Sequence, residues 1–236
     1  MASDAMTDIP FDIVGFDLDG TLLDTAHDLA DAVNFTLEKA GRPTFTVDQV
    51  RTMVGRGAKV MLERGFEASG GCSPELMREY LPVLLDYYGR NLAHKSAPYP
   101  GLLQAMDELQ ARGVKLAVCT NKYERFALDL LGQLGLADRF AAIIGGDTMG
   151  PGRAKPDAAP IREMIVRSCS NGARGDRTIF LGDSIFDILA AKNAGIPSIA
   201  VRFGFMMQPV EELEADAILD HYDDLIPMLS GWKVTA

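Results

Sequence analysis

Two aspartates stand two residues apart in the run Phe16-Asp17-Leu18-Asp19-Gly20-Thr21. In extended backbone such a pair projects to one side, and the two carboxylates repel unless a cation lies between or beside them. A hard divalent ion meets that need. Magnesium takes oxygen ligands and commonly combines one or two carboxylates with waters and substrate phosphate oxygens. Taken alone, Asp-x-Asp-Gly is equally a turn sequence.

Other reactive side chains follow later apolar runs. Thr120 and Asn121 follow one, Asp147 and Lys155 sit in the loop after another, and Asp183 follows a third, with Asp187 four residues on. Asp183 supplies a third carboxylate for a metal. Asp183 and Asp187 share one face at the start of a predicted helix, near its positive end, although a helix cap and a solvated first-turn acid fit the same spacing. Lys155 precedes Pro156 in the glycine- and proline-rich loop 145–156, where its ammonium would balance an aspartate and a phosphate together. Thr120 would donate its hydroxyl to a phosphate oxygen, helped by nearby backbone amides. A loop lysine and a strand-end threonine are, by themselves, also ordinary surface and turn residues.

Those residues need a scaffold that gathers strand ends. Apolar runs at 12–16, 114–119, 141–145, 178–181 and 198–201 read as buried parallel strands, with a further short one at 215–219. Helical spacing over 101–112, 125–134, 158–167, 185–194 and 223–229 makes the alternation a βαβ pattern. The expected class is α/β, a Rossmann-like doubly wound parallel sheet, whose ligands bind beyond the carboxyl ends of the strands. The interval 25–96 shows helical periodicity without a strand and exceeds what a crossover needs. It is read as an inserted all-helical cap domain, with a core of 8–24 and 97–236. Residues 22–24 and 95–100 serve as the two hinges.

Composition narrows the class. A formal net charge of −10 over 236 residues argues against nucleic acid as a partner, because that binding needs clustered lysine and arginine. No apolar stretch approaches membrane-helix length, and residues 1–10 lack a basic and apolar leader pattern. A soluble, unexported, cytoplasmic monomer or homodimer is expected. Residues 1–7, small, polar and without a periodic pattern, are read as a leader or an added remnant outside the fold. Cys72, Cys119 and Cys169 are odd in number and widely spaced, which predicts reduced thiols. Neither G-x-x-x-x-G-K-[ST] nor a strand-following G-x-G-x-x-G is present. His27, His94 and His221 lie far apart without a G-x-S-x-G elbow, so a serine-histidine triad has no support.

Taken together, Asp17-Leu18-Asp19-Gly20-Thr21-Leu22, Thr120-Asn121, Lys155-Pro156 and Gly182-Asp183-Ser184-Ile185-Phe186-Asp187 resemble the four ordered motifs of the haloacid dehalogenase superfamily. The resemblance implies a Rossmann-like core with a helical cap after the first strand. It implies that Asp17 is the nucleophile, forming an aspartyl-phosphate, and that Asp19 protonates the leaving oxygen and then deprotonates water. It further implies that Asp17, the backbone carbonyl of Asp19, and Asp183 hold magnesium, that Thr120, Asn121 and Lys155 bind the phosphoryl group, and that Asp187 orients Lys155 or a metal-bound water. Within the superfamily, Val54-Gly55-Arg56-Gly57-Ala58, Thr120-Asn121-Lys122 and the run 187–195 look like the phosphoglycolate phosphatase-like subgroup. On that resemblance the substrate is a small phosphate monoester, 2-phosphoglycolate foremost, with Arg56 and Gly57 as cap contacts and Arg56 reading a carboxylate.

Several rivals share parts of this pattern. A dehalogenase attacks carbon and needs no acid at Asp19. A phosphonatase needs a Schiff-base lysine in the cap, for which Lys59 is the candidate. A sugar phosphomutase returns the phosphoryl group to a sugar, and a sugar or nucleotide phosphatase of the same superfamily would differ only in the ester it hydrolyses. A receiver-type binding switch also gathers aspartates, a Thr and a Lys around magnesium, but has no use for a cap or for Asp19.

Overall fold

A computed structural model describes residues 9–169 and 172–233; the segment 1–7, expected to stand outside the fold, lies outside the described residues. In chain order the elements are β1 (Ile13–Phe16), β2 (Leu23–Asp24), α1 (Ala26–Lys39), α2 (Val47–Arg51), α3 (Gly57–Ala68), α4 (Pro74–Arg90) and β3 (Ala97–Pro98). They continue with α5 (Leu102–Ala111), β4 (Lys115–Cys119), α6 (Glu124–Gln133), β5 (Ala142–Ile144), α7 (Ala159–Ser168), β6 (Thr178–Gly182), α8 (Ile185–Ala194), β7 (Ser198–Val201), β8 (Ala217–Leu219) and α9 (Leu225–Ser230).

Six strands form one parallel sheet in the order β5-β4-β1-β6-β7-β8. The central strands are apolar after Lys115 and Thr178 at the starts of β4 and β6, because helices cover both faces. Ile13, Ala117, Cys119 and Phe180 pack with Ile161 and Met164 of α7 and Ala190 and Ala191 of α8. The alternate residues Val14, Phe16, Leu116, Val118 and Leu181 pack with Leu102 and Met106 of α5 and Leu225 of α9. Gly15 lies under Met164 of α7: a Cβ there would lie 2.6 Å from the Met164 methyl carbon.

The strand order reverses at β1, so the two halves of the sheet part at its carboxyl end and open a crevice there. Register lines up the strand ends at that point. Phe16 is level with Val118 of β4 and with Leu181 of β6, so the residues that follow each strand emerge beside one another.

Between β1 and β4, residues 26–90 carry four helices and no strand. Leu62 and Phe66 of α3, Leu84 of α4, and Val33 and Leu37 of α1 are fully buried among them. Thr46 and Gln49 cap α2 reciprocally, and Ser73 followed by Pro74 opens α4. The chain leaves and returns through β2 and β3, which pair antiparallel, Leu23 with Pro98 and Asp24 with Ala97. Asp28, buried on α1, fastens the return: its carboxylate accepts from the amides of Lys95 (3.0 Å) and Ser96 (2.8 Å) and from the Ser96 hydroxyl (2.7 Å). At the far end, the helix expected over 223–229 begins as a 3-10 turn, Tyr222–Asp224, with α9 following it.

Candidate active site

Asp17 leaves β1 with its amide still bonded to the Leu181 carbonyl (2.8 Å), which keeps its side chain at the crevice. Lys155 arrives from the loop between β5 and α7. Its ammonium donates to Asp17 Oδ1 (2.9 Å), to the Cys119 carbonyl (2.7 Å) and to Asp187 Oδ1. Asp187 is held in turn by its own helix start: Oδ2 accepts from the Ser184 amide (3.0 Å) and from the Ser184 hydroxyl. Asp183 completes the cluster, its Oδ2 accepting from the Phe205 amide (2.6 Å).

Carboxylate oxygens of Asp17, Asp183 and Asp187 come within 4.8 Å of one another, all buried. Burial pushes the Asp17 carboxyl up to about 6; Lys155 opposes the rise, and Asp187 and Asp19 reinforce it. Asp183 is raised well above the ordinary carboxylate range, by burial first and then by Asp187 and Asp17. Burial works against the Lys155 charge, but Asp17 and Asp187 outweigh it and hold its pKa above the usual lysine value. One ammonium against three buried carboxylates leaves a deficit of positive charge. That deficit fits a hard divalent cation with oxygen ligands.

Asp19 does not join this cluster. The backbone leaves the strand at Phe16 and loops through Gly20, whose φ is +84°, so the same-side projection expected of extended residues does not apply. Its carboxylate takes both bonds from the Lys122 ammonium (2.8 and 2.9 Å) and one from the Thr25 hydroxyl (2.7 Å). Lys122 is itself buried, with its ammonium 4.7 Å from the Tyr88 ring centroid. Sequence reasoning used Lys122 and Ser184 only as parts of the family motifs and gave no role to Thr25, which bonds Asp19 within the loop after β1, or to Tyr88, which meets Lys122 only through a tertiary contact.

Thr120 is buried at the end of β4, its hydroxyl accepting from the Lys122 amide (3.2 Å). The Asn121 side chain donates to the carbonyls of Gly55 (2.9 Å) and Lys155 (3.1 Å), tying the helical segment to the core. Gly57 lies against the same place, where a Cβ would come 2.9 Å from the Asn121 carbonyl. Asp147, instead of entering the crevice, accepts from the Glu124 amide at the start of α6. Arg56 is exposed, its guanidinium 5.5 Å from the Phe186 ring centroid. Lys59 is exposed beside Glu63.

The helices and the strand ends enclose a cavity of about 40 Å³ lined on the core side by Asp17, Asp19, Thr120, Asn121 and Lys122. Val54, Ala58, Met61, Leu84 and Tyr88 close it from α3, α4 and the turn before α3. Neither Arg56 nor Lys59 lines it. Among the described residues no helix is long and apolar enough to cross a membrane, and all three cysteines are free.

Residues 14–201 match the family described as haloacid dehalogenase-like hydrolase. A phosphoglycolate phosphatase of Agrobacterium fabrum is 44% identical over 215 residues, covering 91% of this chain and 90% of its own. One of Caulobacter vibrioides is 41% identical, covering 90% and 88%. The crystal structure of a predicted phosphoglycolate phosphatase from Haemophilus somnus superposes with a TM-score of 0.84 at 29% identity, covering 93% of this chain and 98% of that one.

Proposed function

The chain belongs to the haloacid dehalogenase-like hydrolase family, and from its site we propose that it is a magnesium-dependent phosphatase of small monoesters, 2-phosphoglycolate foremost, working through an aspartyl-phosphate on Asp17. The observation that carries this reading is the buried group of Asp17, Asp183, Asp187 and Lys155 beside Thr120 at the point where the strand order reverses. Asp17, Asp183 and the Asp19 backbone carbonyl would hold magnesium, which when bound supplies charge to offset the carboxylates and the phosphoryl oxygens.

Lys155 and Thr120 would receive the phosphoryl group, with the loop at Asn121 beside them, so that Asp17 meets phosphorus in line with the leaving oxygen. The Asp17 oxygen–phosphorus bond forms as the ester phosphorus–oxygen bond breaks, and Asp19 gives its proton to the leaving oxygen. Asp19 then takes a proton from water, which attacks the aspartyl-phosphate, releasing inorganic phosphate and restoring Asp17. Lys122 and Thr25 steer the Asp19 carboxylate for both transfers. Asp187 keeps Lys155 in place.

Residues 25–96 act in this reading as a cap that opens to admit substrate. The choice of ester follows the relatives named above, which are phosphoglycolate phosphatases. The test is phosphate release from phosphoglycolate, sugar phosphates and nucleoside monophosphates, each with and without magnesium. Metal-dependent release that is fastest from phosphoglycolate and absent in Asp17→Asn is expected. Full activity in Asp17→Asn would remove the covalent route, and transfer between sugar positions with a bisphosphate present would make the chain a mutase.

A further inference from the structure

Tyr88 of α4 is 2% exposed, yet its hydroxyl finds no hydrogen-bond partner, and the side chain lines the cavity. Buried hydroxyls are nearly always bonded, so one left open on the wall of the cavity calls for a group that arrives with a ligand. The Lys122 ammonium stands 4.7 Å from the ring centroid of the same tyrosine. Two of its three donor directions go to Asp19, leaving one. Every other side chain that reaches the cavity from the helical segment, from Leu29 to Leu84, is apolar. An anionic group on the leaving portion of a substrate would therefore meet one cation and one hydroxyl donor, both buried, in an otherwise apolar wall.

We propose that Lys122 and the Tyr88 hydroxyl form the subsite that binds a carboxylate on the leaving group, so that the enzyme selects phosphate esters of short 2-hydroxy acids. This deepens the phosphatase reading and rests on it. The Tyr88 hydroxyl and the third Lys122 proton both bond the carboxylate. Lys122 thereby joins the substrate to Asp19, and the leaving oxygen is drawn to the acid that must protonate it. Arg56, exposed over Phe186 and absent from the cavity wall, is not the cation that reads the carboxylate once the cap is closed. Discrimination follows from desolvation: a carboxylate entering an apolar wall without these partners loses its hydration and gains nothing back.

The experiment compares phosphoglycolate with ethyl phosphate, which keeps the two-carbon chain and lacks the carboxylate, at saturating magnesium. Wild-type enzyme is expected to prefer phosphoglycolate in kcat/KM. Tyr88→Phe, which removes one oxygen and keeps the ring, is expected to shrink that preference roughly tenfold, chiefly by raising KM for phosphoglycolate. Lys122→Gln is expected to shrink it further and also to slow both esters, because Asp19 loses its partner. An unchanged preference in Tyr88→Phe, or a preference that collapses in Arg56→Ala instead, would overturn the proposal. Equal wild-type turnover of the two esters would overturn it while leaving the phosphatase reading intact. No release from either ester would sink both.

Discussion

Exchanging Asp17 for asparagine should change how stability depends on pH in magnesium-free protein. Asp17 is forced upward from 3.8 to about 6 by burial and by its carboxylate neighbours, against the pull of Lys155. Between those two values the folded chain keeps a proton that the unfolded chain has released. Stability therefore falls as pH rises through the interval. The displacement is worth about 3 kcal/mol. Asp17→Asn removes this titration at the cost of a constant offset, since an amide bonds Lys155 less well than a carboxylate. In urea titrations with EDTA, the stability of Asp17→Asn relative to wild type should move in the variant's favour by up to about 3 kcal/mol between about pH 4 and pH 7. Saturating magnesium should reverse the trend for wild type above about pH 6, adding about 2.7 kcal/mol at a hundred times its Kd, and should do much less for the variant. Parallel pH curves for the two proteins in EDTA would refute the claim that Asp17 is held in an under-neutralised carboxylate cluster.

Lys155→Met strips the ammonium that bonds both Asp17 and Asp187; a loss of about 3–5 kcal/mol in EDTA is expected, with magnesium restoring more stability to the variant than it adds to wild type. Asp28→Ala leaves three donors at the returning hinge without their acceptor. It should cost about 3 kcal/mol and speed hydrogen exchange at the Lys95 and Ser96 amides, whereas unchanged exchange there would mean that the hinge does not depend on Asp28. Burial pushes the Cys119 thiol up to about 12, so iodoacetamide should spare it in native protein at neutral pH and modify exposed Cys169 first.

The sheet was legible because each of its strands is an apolar run with turn residues at both ends, the pattern of strands buried on two faces. Ile13–Phe16, Lys115–Cys119 and Thr178–Gly182 begin or end within one residue of where the pattern puts them. The two-residue ribbon of Leu23–Asp24 with Ala97–Pro98 was not legible. Two residues carry no period, and their pairing depends on segments more than seventy positions apart. The helical interval could be recognised from length and periodicity, but not the way its α4 brings Tyr88 over Lys122, since neither residue's type signals the other.

The aspartate pair marks the limit of spacing as a guide. An i, i+2 argument holds only while the chain stays extended, and here the strand ends one residue before Asp17. Beyond it the Leu23 amide bonds the Leu18 carbonyl and the Gly20 amide bonds the Leu23 carbonyl, folding the segment into a tight loop. The loop turns Asp19 away from Asp183 and toward Lys122 and Thr25. Two chemically identical side chains thus acquire different company: Asp17 shares one lysine with Asp187 inside a carboxylate cluster, and Asp19 has a lysine and a hydroxyl to itself. In the proposed reaction the nucleophile must face the phosphoryl group and the cation together, whereas the proton carrier must face the leaving oxygen from the side of the helical segment. The loop at Gly20 separates those two demands, and lengthening or straightening it would merge them again.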